Sequence, residues 1–390
     1  MHTIRLNWLH AFALALTLCV AIGGCASRPV PAEPAPITAE ESRAIPIFRG
    51  SDGATVAYAD LLAAACDAEV VIIGENHGHR VGNAWAATVF EDVIEKAKSA
   101  GRPTKPALSM EFFERDDQSR LDDYLKGVVD ESTFRKTTSR AEGNYPAGHA
   151  RMVDAAKKHD VPVIAANMPW QYVRFIRGKD YAVLDTLTPE QKRLFRIPDS
   201  MVEGRYRKDH DELMGPMVDA ELSATKPPSH GGSPVASGDK SATKDDAPEL
   251  SDDEKAAKKK ARLDGLFRVM QLWDWTMAES VADALARADA GEPWFNASVA
   301  ADAHADAGAA SGEASQPIVI HLDLKPSQTF APVIHVVGRF HSDFTGGMPQ
   351  ALQSLRPGTK MIIISVVDQS SATLQDEDKG RGDFVVYVGE

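Results

Sequence analysis

At 390 residues, with 43% hydrophobic and 25% charged side chains, the chain can bury a real core as one large domain or two smaller ones. Its formal net charge of −13, without a basic stripe, excludes nucleic acid as an expected partner. An apolar stretch of about 14 residues near the start is too short for a membrane span and has the length of a signal h-region.

That stretch lies in "MHTIRLNWLHAFALALTLCVAIGGCASRP", and it ends in Ile22-Gly23-Gly24-Cys25. An aliphatic residue and two small ones before a cysteine resemble the lipobox of bacterial lipoproteins. The expected organisation is a signal peptide over 1–24, lipidation of Cys25 and a Pro/Ala-rich tether over 25–45. Ala26, where an aspartate would retain a lipoprotein at the inner membrane, points to the outer membrane or cell surface. Cys19 leaves with the signal, so Cys66 is the one thiol left, and it reads as a small core residue.

A single α/β domain is expected over 46–390. Within it, 225–260 and 298–316 have the composition of disordered surface insertions. Elsewhere, β-rich apolar runs at 70–74, 107–112, 161–166, 332–338 and 361–367 alternate with helical spacing at 84–98, 147–159 and 262–288. Continuous apolar strands separated by helices predict a mostly parallel sheet covered on both faces, with extra helices between the third and fourth runs.

Open α/β sheets bind ligands at the carboxyl ends of their strands. The first run is followed by Glu75, Asn76, His77 and His79. The second carries Glu111 and Glu114, the third ends at Asn167, and the fourth leads into Arg339, His341 and Asp343. Gly74-Glu75-Asn76-His77 and Gly338-Arg339-Phe340-His341 share the spacing Gly-x-x-His directly after a β-run. Two imidazoles and a carboxylate suit Zn²⁺, Mn²⁺ or Fe²⁺ with positions left open, so His77, Glu111 and His341 are the expected metal ligands. Glu111 is open to ligating or to acting as general base, and Glu75 to whichever of the two roles Glu111 does not take. In the helix 261–289, Leu266, Met270, Trp273, Met277, Val281 and Leu285 form a core stripe, and Asp274 between two tryptophans needs a partner if buried.

"VVIIGENHGH", "ALSMEFFERDDQ", "YPAGHARMVDAAKKHDVPVIAANMPWQYVR", "FRVMQLWDWTMAESV" and "VVGRFHSDFTGGMPQAL" together resemble the ChaN-like haem-binding lipoproteins of the Tiki/TraB/erythromycin esterase superfamily. The resemblance covers roughly 65–223 and 262–370, and it implies that Gly74, Glu75, His77, Glu111, Asn167, Asp274, Met277 and His341 are family positions. Its Tiki-type branch implies a metal-dependent hydrolytic centre on His77, His341 and Glu111. Its ChaN-like branch implies haem, held as a stacked pair in a homodimer with tyrosine on iron. Tyr145, Tyr172 and Tyr206 lie where a haem could sit, although a core tyrosine is the simpler reading of each. Trp275 and the two insertions depart from the family pattern. Two functions are expected from this reading: a surface-anchored lipoprotein taking up haem or iron, and, as the alternative, a metal-dependent hydrolase.

Overall fold

The computed structural model describes residues 37–100, 106–140, 144–223, 251–290 and 332–389. Cys25, the leader, most of the tether, 225–250 and the insertion at 298–316 lie outside the described residues. Ile37–Glu390 forms one compact unit.

Folded structure begins before residue 46. Helix α1 (Ala39–Ala44) starts in a capping box in which Thr38 and Glu41 satisfy each other's backbone N–H groups. Arg43 docks it, donating to both carboxylate oxygens of Asp92 at 2.7 and 2.8 Å. The end of the expected tether is therefore part of the domain. Residues 251–260, expected within a disordered insertion, are likewise helical. They form the first turns of the 38-residue helix α10 (Asp252–Asp289), capped by Ser251 and Glu254 and braced by Lys259–Asp219 at 2.7 Å. Their polar composition reflects a solvated helix face, which composition alone does not separate from a solvated coil.

The α/β architecture is as expected. The eight-stranded sheet has the order β2-β1-β8-β7-β3-β6-β4-β5. The five apolar runs form β3 (Val70–Glu75), β4 (Ala107–Glu114), β5 (Val163–Asn167), β6 (Val333–Gly338) and β7 (Met361–Val367), all paired in parallel. Three shorter strands, β1 (Ile47–Arg49), β2 (Thr55–Val56) and β8 (Phe384–Tyr387), extend one edge, where β1 runs antiparallel to β8. β3 and β6 are buried along their whole length, which explains why they read as unbroken apolar runs.

Alternate residues of these strands enter two cores. Val71, Ile73, Leu108, Met110, Ile334 and Val336 pack with helices α2 (Tyr58–Asp67), α3 (Arg80–Ser99), α4 (Gln118–Leu125), α5 (Glu131–Thr137) and α6 (Ala147–His159). Val70, Ile72, Ala107, Val333 and Val337 pack under the buried Met277, Val281 and Leu285 of α10 and under α11 (Met348–Leu355). Helix α7 (Trp170–Ile176), α8 (Pro189–Lys192) and α9 (Arg205–Ser223) are inserted between β5 and β6 together with α10. Among the described residues no helix is long and apolar enough to cross a membrane.

Candidate functional site

The strand ends that carry polar groups meet at one sheet edge because β6 lies between β3 and β4. Glu75 is in register with Gly338, and the loops leaving β3, β6 and β4 are neighbours. Glu111 is fastened to the next strand by accepting the backbone N–H of Gly338 at 2.6 Å. The Nε2 atoms of His77 and His341 approach its two carboxylate oxygens, at 3.8 Å from Oε2 and 3.7 Å from Oε1.

Each imidazole is tied at its other nitrogen to a second carboxylate. His77 Nδ1 lies 3.2 Å from Glu75 Oε1, and His341 Nδ1 lies 2.6 Å from Asp274 Oδ1. Asp274 is fully buried and has the partners its burial demands: Tyr206 donates its hydroxyl at 2.7 Å and Gln271 its amide at 3.0 Å. Glu75 is buried too, and His149 meets its oxygens at 2.8 and 3.0 Å.

Glycines make room for this packing. A Cβ on Gly338 would stand 2.7 Å from His77 Nε2. On Gly347, with φ of +52°, it would stand 2.7 Å from Asp274 Oδ1 and 2.8 Å from the Tyr206 hydroxyl.

Carboxylates and imidazoles shift one another within the cluster. Burial alone would raise Glu75, but His149 and His77 beside it hold its carboxyl at about 2. Desolvation pulls the His77 imidazole down, and the Glu111 and Glu75 carboxylates outweigh it, raising it to about 9. With 63% of that side chain open to solvent, water screens part of this attraction. His341 is raised as well, since Asp274 and Glu111 outweigh its burial. As the side chains lie, these groups form ion pairs. Among the described residues no three His, Cys, Asp or Glu side chains stand as a metal-ligand cage.

The other expected site residues are placed as follows. Asn167 ends β5 and folds back to accept the N–H of Met168 at 2.8 Å. Glu114 accepts the N–H of Trp170 at 3.1 Å, and His79 caps α3 by accepting the N–H of Gly82 at 3.0 Å, so both are occupied structurally. Tyr172 is buried in the satellite core around Met168 and Leu272. The Tyr206 hydroxyl is engaged by Asp274, and burial followed by that carboxylate pushes it well above the usual tyrosine range. Tyr145 stacks on Phe112 with ring centroids 5.6 Å apart, and it lines a surface cleft with Arg43, Arg151 and Asp154.

Two participants escaped sequence reading. His149 sits in the first turn of α6 rather than at a strand end, so no strand-end signal marked it. Trp170 is 37% exposed, stacks on Trp273 at 6.0 Å and 16°, and thereby joins an aromatic pair whose inner member meets His341 edge-on at 6.2 Å.

A mostly parallel α/β sheet with a carboxylate–imidazole cluster at its C-terminal edge defines a ligand-binding α/β protein. The model of a family described as haem-binding uptake, Tiki superfamily, ChaN, matches residues 61–310, and the chain belongs to that family. Among solved structures, ChaN of Campylobacter jejuni, described by its cofacial heme binding, is similar in fold. The TM-score is 0.53 at 11% identity, over 88% of this chain and 96% of that one. No curated protein matched.

Proposed function

We propose that this protein is an exported haem-binding protein, tethered to a membrane surface through lipid on Cys25 and serving haem or iron uptake. His77 carries the reading: its imidazole is 63% open to solvent, anchored at Nδ1 by Glu75 and set at the edge that also bears the Trp170–Trp273 stack. The donor set fits the group. Bound haem supplies a ferric iron that accepts an imidazole nitrogen. His77 would contact the metal, with Glu75 strengthening it as a base. The Trp170 face offers a flat apolar surface to a porphyrin, and Arg174, 5.9 Å from that ring, a cation for a propionate. Tyr206 and Tyr172 are committed to the interior, and Tyr145 stacks on Phe112 beside a cleft lined by Arg43, Arg151 and Asp154, so the imidazole replaces the phenol that sequence resemblance suggested.

Titrating the purified protein with hemin should shift the Soret band, and His77→Ala should abolish the shift. An unshifted band in the wild type, or a full shift in His77→Ala, overturns the haem reading. Cys25→Ala should release the protein from the membrane fraction, and its retention there would count against the anchor. Size measurement with and without hemin reads whether two copies assemble around the ligand.

A second reading, a metal-dependent hydrolase, is favoured by one observation: both imidazoles are tied through Nδ1 to carboxylates while their Nε2 atoms face Glu111. His77 and His341 would hold the ion, which would supply Lewis-acid activation of water. Glu111 would take the proton, and Glu75, locked between two histidines, would orient rather than act as base. Metal analysis after Mn²⁺ or Zn²⁺ soaking that finds no stoichiometric ion removes this reading.

A further inference from the structure

His149 would touch no bound group in either the haem or the metal reading, yet the packing around it is specific. Gly148 lies so close to α3 that a Cβ would come within 2.5 Å of the backbone carbon and oxygen of Asn83. That close crossing lets α6 carry His149 beneath the end of β3. The ring is 2% exposed. Its edge packs against Phe112 at 4.7 Å and 64°, and Phe112 is the chain neighbour of Glu111. His149 is thus seated against two of the three strands that carry the cluster, β3 and β4.

Its chemistry runs in one direction. Nε2 reaches both oxygens of Glu75, at 2.8 and 3.0 Å, whereas Nδ1 meets no hydrogen-bond partner among the described residues. A buried carboxylate keeps a fixed orientation only where its partners hold it. With His149 holding Glu75 from below, Oε1 is left to face His77 Nδ1 at 3.2 Å. The other ring nitrogen of His77 then turns toward Glu111. On the far side of the edge, Asp274 does the same for His341.

We infer that His149 is a positioning residue: by clamping Glu75 it fixes the ring of His77 so that Nε2, and not Nδ1, is offered to a ligand at the sheet edge. The role concerns the edge invoked in the haem reading and rests on that reading only for its consequence, because the ring geometry can be read with no ligand present.

The test is nitrogen-15 NMR of the histidine-labelled protein without added ligand, with resonances assigned through His77→Gln and His149→Gln. In the wild type, the Nε2 proton of His149 and the Nδ1 proton of His77 should both be visible, protected from exchange by Glu75. A His149 ring that carries its protected proton on Nδ1 overturns the inference whatever the variants do. His149→Leu should lose the protected His77 proton, and His149→Gln, which retains a donor, should restore it. A folded His149→Leu protein with the wild-type His77 signal is the opposite result. The control His159→Gln, at the far end of α6, should leave the signal unchanged. Hemin titration of the same samples separates the two ideas: loss of the His77 signal with hemin binding intact retains the positioning role and counts against the haem reading.

Discussion

Gly338 lies against the His77 imidazole so closely that a single methyl group would contact Nε2 at 2.7 Å and Glu111 Oε2 at 3.3 Å. The backbone of Gly338 has a φ of −55°, ordinary for any residue, so the restriction comes from space alone. Gly338→Ala should therefore expel the His77 ring into solvent, where most of it already stands. Hemin affinity should fall by at least tenfold while the melting temperature changes little. Unaltered affinity would mean that His77 does not work from its present position.

Asp274→Asn tests the opposite imidazole. The amide can still accept from Tyr206 and Gln271, but its NH₂ must face His341 Nδ1, which then has to accept. The ring proton moves to Nε2, on the side of Glu111, and that nitrogen ceases to be a metal donor. A stability loss of about 1–3 kcal/mol is expected by urea unfolding, from one buried charge-assisted bond replaced by a weaker one. Any Mn²⁺ or Zn²⁺ bound by the wild type should be lost, and retention of the ion would show that His341 is not its ligand.

His335 sits in mid-sheet on β6, fully buried, with Nδ1 2.9 Å from the Ser109 hydroxyl. Burial pushes its imidazole down to about 4. The folded state keeps it neutral while the unfolded chain takes up a proton below about 6.5, so this group lowers stability as pH falls from 6.5 toward 4. The expected loss across that window is ~3 kcal/mol. The pair Ser109→Ala/His335→Leu removes the imidazole without stranding the hydroxyl, and its unfolding free energy should fall less steeply with acid. Parallel curves for variant and wild type would contradict this assignment.

Ligand binding should depend on pH in the other direction. Raised toward about 9 by Glu111 and Glu75 and partly screened by water, His77 holds a proton around neutral pH that an incoming iron must displace. Hemin affinity should rise with pH from 6 toward 9 and level off above it. A flat profile, measured by Soret titration at constant ionic strength, would exclude this imidazole as the contact.

Trp170→Ala should weaken hemin binding with almost no change in stability, since the ring is more than a third exposed and lies at the end of its stack. Equal hemin affinity in the two proteins would remove the tryptophan face from the site.

Much of the fold was legible because its signals are local. A parallel strand buried on both faces has to be apolar throughout, so β3, β4, β5, β6 and β7 stood out as runs, and glycine and polar residues marked where they stop. β1, β2 and β8 were not legible, being two to four residues long and defined by pairing with one another or with β7. Residues 251–260 show the converse error, since a charged helix face and a charged coil look alike until Asp219 and Glu221 of α9 are seen beside Lys259 and Arg262.

Local sequence was enough to place Glu75, His77 and His341 at strand ends and Glu111 late in its strand, because the chain direction of a parallel strand decides which residues follow it. It could not say which ends are neighbours. That depends on β6 inserting between β3 and β4, a pairing of segments more than two hundred residues apart, and it is this order that puts Gly338 onto Glu111 and two imidazoles around one carboxylate. His149 under Glu75 and Asp274 behind His341 were likewise decided only in three dimensions: helices α6 and α10 bring them from 74 and 67 residues away, and a buried charge takes as its partner whatever the packing sets beside it.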